Sequence, residues 1–213
     1  MELLSLLLAQ SLTTPRPGAI ARINRIEAPI VRIRPNQGQN RAAAVGVDLS
    51  PGDTVLTRDR GRTEILFRNG VGVRIGGNAQ LVLRPQNRLD FRSGEMITWV
   101  MPGQKVPLTI TTPLATAAVR GTTVYVEHLP MNRIRFFAWE GQVSITPADG
   151  SPALTLTTGE EVVLTPGAPI PPVRRMTLPE WQKHRQTARF LRSFQQPLPT
   201  QPLIDRLAPG ELP

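Results

Sequence analysis

The side chains in this sequence that could do chemistry are two histidines, a run of three aspartates and one arginine set among small residues. His128 and His184 are too far apart for the His-x-x-x-His spacing that holds a metal on one helix face, and His184 falls in a helical pattern. Each reads as a structural histidine. Asp48, Asp53 and Asp59 could offer hard oxygen ligands to calcium. Their spacing does not match an EF-hand loop, however, and they stand beside turns, where Asp bonds to its own backbone. Glu160-Glu161 is equally ordinary. The sequence contains no Gly-x-Ser-x-Gly elbow and no phosphate-binding Gly-Lys-Thr loop. It also has no cysteine, which excludes disulfides, thiolate metal sites and a thiol nucleophile. The reading is therefore not an enzyme: no catalytic residue, no metal site and no cofactor is expected.

Arg120 is the remaining candidate. It sits in the stretch 109–126, where Ala115, Ala117 and Val119 alternate at odd positions and Val124 and Val126 continue at even ones. The parity flips across Arg120-Gly121-Thr122. One extra residue in one strand of a ladder does this, and Gly inside a strand pattern marks a bulge or a close backbone approach. The expectation is one bent strand with an arginine at its corner. Pointing inward, the guanidinium would need carbonyls or a carboxylate, because an unpaired buried charge is costly; pointing outward, it could read an anionic ligand. The flanking alanines favour the inward clamp, and Arg120→Ala is then expected to lower thermal stability.

A scaffold must hold these positions, and 213 residues suffice for one main domain with tails. Residues 31–34 alternate as an edge strand would. An apolar residue, two spacers, Gly and an acid recur at Leu49-Ser-Pro-Gly-Asp53, Phe91-Arg-Ser-Gly-Glu95 and Leu156-Thr-Thr-Gly-Glu160. The unequal intervals indicate a recurrent tight turn between strands, not a solenoid. Asn69-Gly70, between two alternating apolar runs, is the strongest hairpin signal. Short strands follow at 81–83, 89–91 and 96–100; later ones flank Glu140-Gly141 and Thr158-Gly159-Glu160. Together these predict an all-β fold: a single β-roll or sandwich-like domain of short strands and Gly turns over residues 19–164.

The ends differ in composition. Residues 1–12 form an apolar run of signal-peptide length, too short to span a bilayer that requires about 20 residues. Without a basic n-region it reads either as the tail of an export signal or as an amphipathic start, and with the Pro-rich linker behind it makes up residues 1–18. Residues 165–213 form a Pro-rich tail, opening on a linker at 165–172. Thr177-Leu-Pro-Glu180 has the form of a capping box with Pro early in the helix, so one helix is expected over about 178–194. It places Trp181, Ala188 and Leu191 on one face, Phe194 at its margin, and Arg185, Arg189 and Arg192 in a neighbouring stripe. Two readings stand: the helix docks its Trp181 face on the β domain, or it offers Trp181, Arg185, Arg189 and Arg192 to a partner. The last nineteen residues are expected to hug the surface or stay disordered.

Charge bears on partners. Lys and Arg total 25 against 16 acids, a net +9, while aromatic residues are 5%. Such an excess suits polyanions, but the arginines are scattered, and few aromatic platforms exist for single strands.

The succession Leu49-x-x-Gly52-Asp53, an apolar hairpin ending near Val73, Gly94-Glu95, Thr112-Pro113 through Val119-Arg120-Gly121-Thr122, Glu140-Gly141-x-Val143 and Gly159-Glu160 closely resembles the FecR domain of bacterial regulators named for ferric-citrate signalling. The resemblance covers roughly residues 49–164, and Thr-Pro-x-Ala through Val-Arg-Gly-Thr is its most specific part. It implies an all-β extracytoplasmic, periplasmic module. In the defining regulators this module receives a signal from an outer-membrane transporter and passes it through a transmembrane helix to a segment controlling a sigma factor. This sequence has neither that segment nor a spanning helix. The resemblance implies no catalytic residue, so Thr112, Pro113, Val119, Arg120, Gly121, Thr122, Glu140, Gly141, Gly159 and Glu160 are expected to serve structure.

The leading expectation is a non-enzymatic binding or signalling module of the bacterial envelope that engages a protein or cell-wall glycan. The competing one is a basic protein that binds nucleic acid or another anionic polymer. A carbohydrate-active β protein would require paired carboxylates facing a cleft.

Overall fold

The computed structural model describes residues 17–28 and 30–211; the leader-like start and most of the linker behind it, at 1–16, lie outside the described residues. The first strands are β1 (Ala21–Ala28), β2 (Val31–Arg34), β3 (Arg41–Ala42), β4 (Asp48–Leu49), β5 (Thr54–Thr57) and β6 (Arg62–Phe67). Two long strands follow, β7 (Val71–Arg84) and β8 (Arg88–Val100). Then come β9 (Pro107–Thr111), β10 (Ala115–Arg120), β11 (Thr123–Leu129), β12 (Arg133–Glu140), β13 (Gln142–Pro147), β14 (Leu154–Thr157), β15 (Glu160–Leu164) and β16 (Arg174–Arg175). The tail carries α1 (Leu178–Thr187), α2 (Arg189–Arg192) and α3 (Gln201–Ile204).

The hairpin β7–β8 organises these strands because each of its halves belongs to a different layer. Gln80 to Val82 of β7 pair with β5, and Arg88 to Asp90 of β8 pair in parallel with β9, giving a first layer β3-β2-β5-β7-β8-β9-β10-β13-β14. The other halves pair with β6 and β11, giving a second layer β4-β1-β6-β7-β8-β11-β12-β15-β16. One open sheet is thus folded over itself as a sandwich. Its core takes alternate residues from both layers, among them Ile33, Val55, Leu81, Phe91, Ile110 and Ile145 from the first and Ile23, Ile65, Val73, Met96, Val126 and Phe136 from the second.

The fold line runs through Gly76-Gly77-Asn78 and Gly94. The runs at 81–83, 89–91 and 96–100, expected as separate strands, are therefore halves of β7 and β8, and the Gly94-Glu95 copy of the recurrent motif is a bend within β8, not a turn between strands. All three copies do place their glycine at positive φ: Gly52 at 91°, Gly94 at 86° and Gly159 at 75°. The Asn69-Gly70 hairpin forms, joining β6 to β7, with Gly70 at φ 85° as the left-handed residue of its turn.

At Gly94 a side chain would meet backbone. A Cβ there would lie 2.4 Å from Ala79 Cα and 2.6 Å from Gly76 O. Gly94→Ala is expected to cost about 2–4 kcal/mol, through both φ and collision. Urea denaturation of the two proteins measures it.

Candidate functional site

From β8 onward the chain winds between layers, and every crossing lies on one seam. β8 leads through 101–106 to β9, β10 through 121–122 to β11, β12 through Gly141 to β13, and β14 through 158–159 to β15. A chain that changes layer must reverse which side chains face the core. This is the source of the parity flip at Arg120-Gly121-Thr122: β10 pairs with β9 and β13, whereas β11 pairs with β8 and β12. The stretch is two strands in two layers, not one bent strand with a bulge.

Left-handed glycines make these corners, Gly121 at φ 60°, Gly141 at 79° and Gly159 at 75°. Threonines stitch each corner to the next. Thr122 Oγ1 donates to Gln142 O at 2.8 Å, and Thr158 Oγ1 accepts from the Gly141 N–H at 3.2 Å. Thr112 Oγ1, beside the exposed Pro113, donates to Ala115 O at 2.8 Å and closes the turn into β10, from which Val119 enters the core. Glu160 accepts from Thr157 and pairs with Arg175 at 2.8 Å. Gly159 packs against Pro209 of the tail.

Arg120 lies at this seam but is exposed, and it makes none of the ion pairs among the described residues. The inward clamp expected there is absent; its backbone turns outward as β10 leaves the first layer. Arg120→Ala therefore has no buried interaction to remove.

The clamp is Arg74. It is 1% exposed, on the outer face of the second layer, with Nε 2.8 Å from Glu64 Oε2. Its other nitrogens donate to Phe190 O at 2.8 Å and Gln196 O at 2.7 Å, and the guanidinium lies 4.1 Å from the Phe194 ring centroid. One side chain thus fastens the tail to the sheet. The tail covers a second apolar cluster in which Ile97, Trp99, Phe137 and Trp139 of the sheet meet Trp181, Phe190, Leu191, Phe194, Leu198 and Ile204.

The helix begins as its sequence requires, with Thr177 and Glu180 forming the capping box. It stops at Thr187, and Ala188 is extended at φ −62°, ψ 118°. A straight helix to residue 194 would put Trp181 and Phe190, nine residues apart, on opposite sides. The break turns both onto the sheet. Trp181 is fully buried, donating to Leu207 O at 2.9 Å, so it packs within its own chain. Arg185 bonds to Ile204 O and Asp205 O and Arg189 pairs with Glu95 at 3.1 Å, while Arg192 is exposed and donates to Arg185 O. Residues 198–204 are held by the same surface: Leu198, Thr200, Gln201 and Ile204 are buried.

The other sequence candidates have local duties. Asp53 accepts the N–H of Asn36 and of Ser50, and Asp48 pairs with Arg22 and Arg68. The Asp59 N–H is bonded by Asn78, and His128 Nε2 lies 3.2 Å from Phe91 O. His184 stacks on Trp139 at 4.7 Å and meets the Phe137 edge at 5.1 Å.

Where seam and tail meet, a cleft of about 690 Å³ opens. Its lining includes Met101, Pro102, Lys105, Arg120, Glu140 and Leu203. Glu140, 2% exposed, is the one carboxylate among these lining residues, and burial pushes its pKa up. Its Oε1 accepts from Thr123, whose hydroxyl also meets that of Thr200 at 2.8 Å. Paired-carboxylate hydrolysis has no second acid here.

Three of the four seam crossings, at 101–106, 121–122 and Gly141, lie within the match to a family model. The model described as FecR protein matches residues 53–144. This stretch is a FecR domain. Among solved structures, a crystal structure of a protein from Parabacteroides distasonis ATCC 8503, provisionally described as an anti-sigma factor, is similar at a TM-score of 0.51 and 12% identity, over 63% of this chain and 64% of that one. A second crystal structure so described, from the same organism, has a TM-score of 0.46 at 13% identity, over 54% and 55%. This chain thus spans less than two thirds of either, and the likeness concerns the fold. No curated protein matches the sequence. No helix among the described residues is long and apolar enough to cross a membrane.

Two measurements address how the tail is held on the FecR domain. Arg74→Met leaves Glu64 with Asn24 and the more distant Arg25 and takes the donors from Phe190 O and Gln196 O, and is expected to cost about 3 kcal/mol; hydrogen exchange should show residues 189–198 losing protection first. Burial pulls the pKa of His184 below its ordinary value, helped by Arg135 and opposed by Glu161. The unfolded chain then binds the proton more readily, so stability is full above about pH 6.5 and falls as pH drops from there toward the folded-state value. His128 is lowered in the same sense, so urea midpoints between pH 5 and 7.5 should show a reduced slope, not a vanished one, in His184→Phe.

Proposed function

We propose that this chain is a non-enzymatic signalling module of the bacterial envelope, acting outside the cytoplasm by engaging a protein or a cell-wall glycan. In this reading residues 19–164 form the FecR-type body, and residues 165–213 are a tail that shapes its surface. The observation that carries it is the FecR match at 53–144 together with a tail closed over the second layer. The FecR family is regulatory, and the corner residues of its motif are occupied here by backbone hydrogen bonds, which leaves partner contact to the first layer and to the seam.

One observation favours the anionic-polymer reading: Arg32, Arg34 and Arg41 are exposed together on β2 and β3, and Arg88 and Arg92 are exposed on β8. Fractionation of cells producing the full-length gene product, followed by filter binding of duplex DNA from 50 to 200 mM salt, separates the readings. An extracytoplasmic location with no DNA retained at 200 mM is expected. A cytoplasmic protein whose DNA affinity falls steeply with salt would replace the envelope reading with the polymer one.

A further inference from the structure

The cleft at the seam contains a group that the fold leaves unused. Glu140 Oε1 is engaged by Thr123, but Oε2 is buried with no hydrogen-bond partner among the described residues, and no cation pairs with it. A buried carboxylate oxygen of this kind calls for a donor. The lining is largely apolar, with Val100, Met101, Pro102 and Pro107 on the FecR side and Leu203 on the tail, and Gln104 and Thr200 are its neutral polar side chains. Lys105 and Arg120 are both exposed among the lining residues, and neither takes part in an ion pair among the described residues. The lining thus combines a buried acceptor, apolar side chains and two exposed cations.

A molecule complementary to this set carries an ammonium, an apolar body and a carboxylate. We propose that the cleft binds a short apolar peptide whose entry turns the Glu140 carboxylate out of its closed position, so that Oε2 accepts from the N-terminal ammonium while the C-terminal carboxylate faces Arg120 and Lys105. A cleft of about 690 Å³ lies within the range of small-ligand sites, about 300–1,000 Å³. Both parts of the molecule build the site: Thr200, joined to Glu140 through Thr123, and Leu203 come from the tail, and the rest comes from the FecR domain. A bound peptide bridges the two and holds the tail down, and by linkage a docked tail raises affinity for the peptide.

Calorimetric titration of the full chain with Leu-Ala-Ala tests this without a transporter, sigma factor or membrane, so its outcome is separate from that of the signalling reading. The free tripeptide should bind, with N-acetylation weakening it at least about tenfold and C-terminal amidation severalfold, as expected for charge-assisted hydrogen bonds. Glu140→Gln should remove the discrimination against the acetylated peptide, and the surface variant Arg120→Gln the discrimination against the amide. Hydrogen exchange at residues 198–207 should slow when peptide is added. Absence of binding at 10 mM peptide, or affinity indifferent to acetylation in the unaltered protein, overturns the proposal.

Discussion

The structure depends on one geometric constraint: a chain that passes from one layer of a sandwich to the other must exchange its inward and outward side chains. At three successive crossings the exchange is made by a glycine at positive φ, where a Cβ would be strained. Because the crossings share one seam, the corners stack, and the middle one, at Gly141-Gln142, is held by a hydroxyl from the corner on either side. Thr122 and Thr158 are therefore more than turn residues. They set the register between successive hairpins that are otherwise joined only at their edges. The alanines at 115, 117 and 118 fit the same picture, since β10 lies between β9 and β13 with Ala115 and Ala117 directed into the core.

The second layer is buried on both faces, and this explains the tail. Its central strands read Met96 to Val100 and Phe136 to Glu140 as continuous buried runs, the pattern of a strand with no solvent side. Trp99, Phe137 and Trp139 require a cover, and the three short helices supply one. Apolar contact alone would let such a cover slide. Arg74 prevents this, because its planar donors meet a carboxylate and two carbonyls at fixed angles. The guanidinium accordingly fixes position, and the aromatic rings supply the burial.

Much of this was legible in the residues. Strand alternation, the Asn69-Gly70 hairpin and the capping box at Thr177 rest on local chemistry and are found in the structure, whereas the FecR motif was legible by resemblance and is matched over residues 53–144. What was not legible is non-local. The parity flip at Arg120 has the same signature for a bulge as for a change of layer, and only pairing partners tell them apart. Long strands folded at Gly77 and Gly94 look like separate short ones, because a bend and a turn use the same glycine. Arg74 was overlooked because an arginine between Val73 and Ile75 reads as the polar side of a half-exposed strand. The signal that could have found it was the run Met96-Ile97-Thr98-Trp99-Val100 in β8, its neighbour across the ladder, apolar on both faces but for one threonine, which announced a covered face. Glu140 and Thr200 were invisible as a pair, being brought together only by the docked tail.

The position of Arg74 in the chain also bears on how the molecule comes into being. Synthesis delivers the two layers before residues 178–207, so the sandwich exists for a time with its outer aromatic face open to other chains. A guanidinium and the Glu64 carboxylate set in the middle of that face hold water there and oppose its pairing with a second apolar surface. The same two groups lose their water only to the carbonyls of the correct tail segment. One ion pair thus protects the nascent protein first and selects its own cover afterwards.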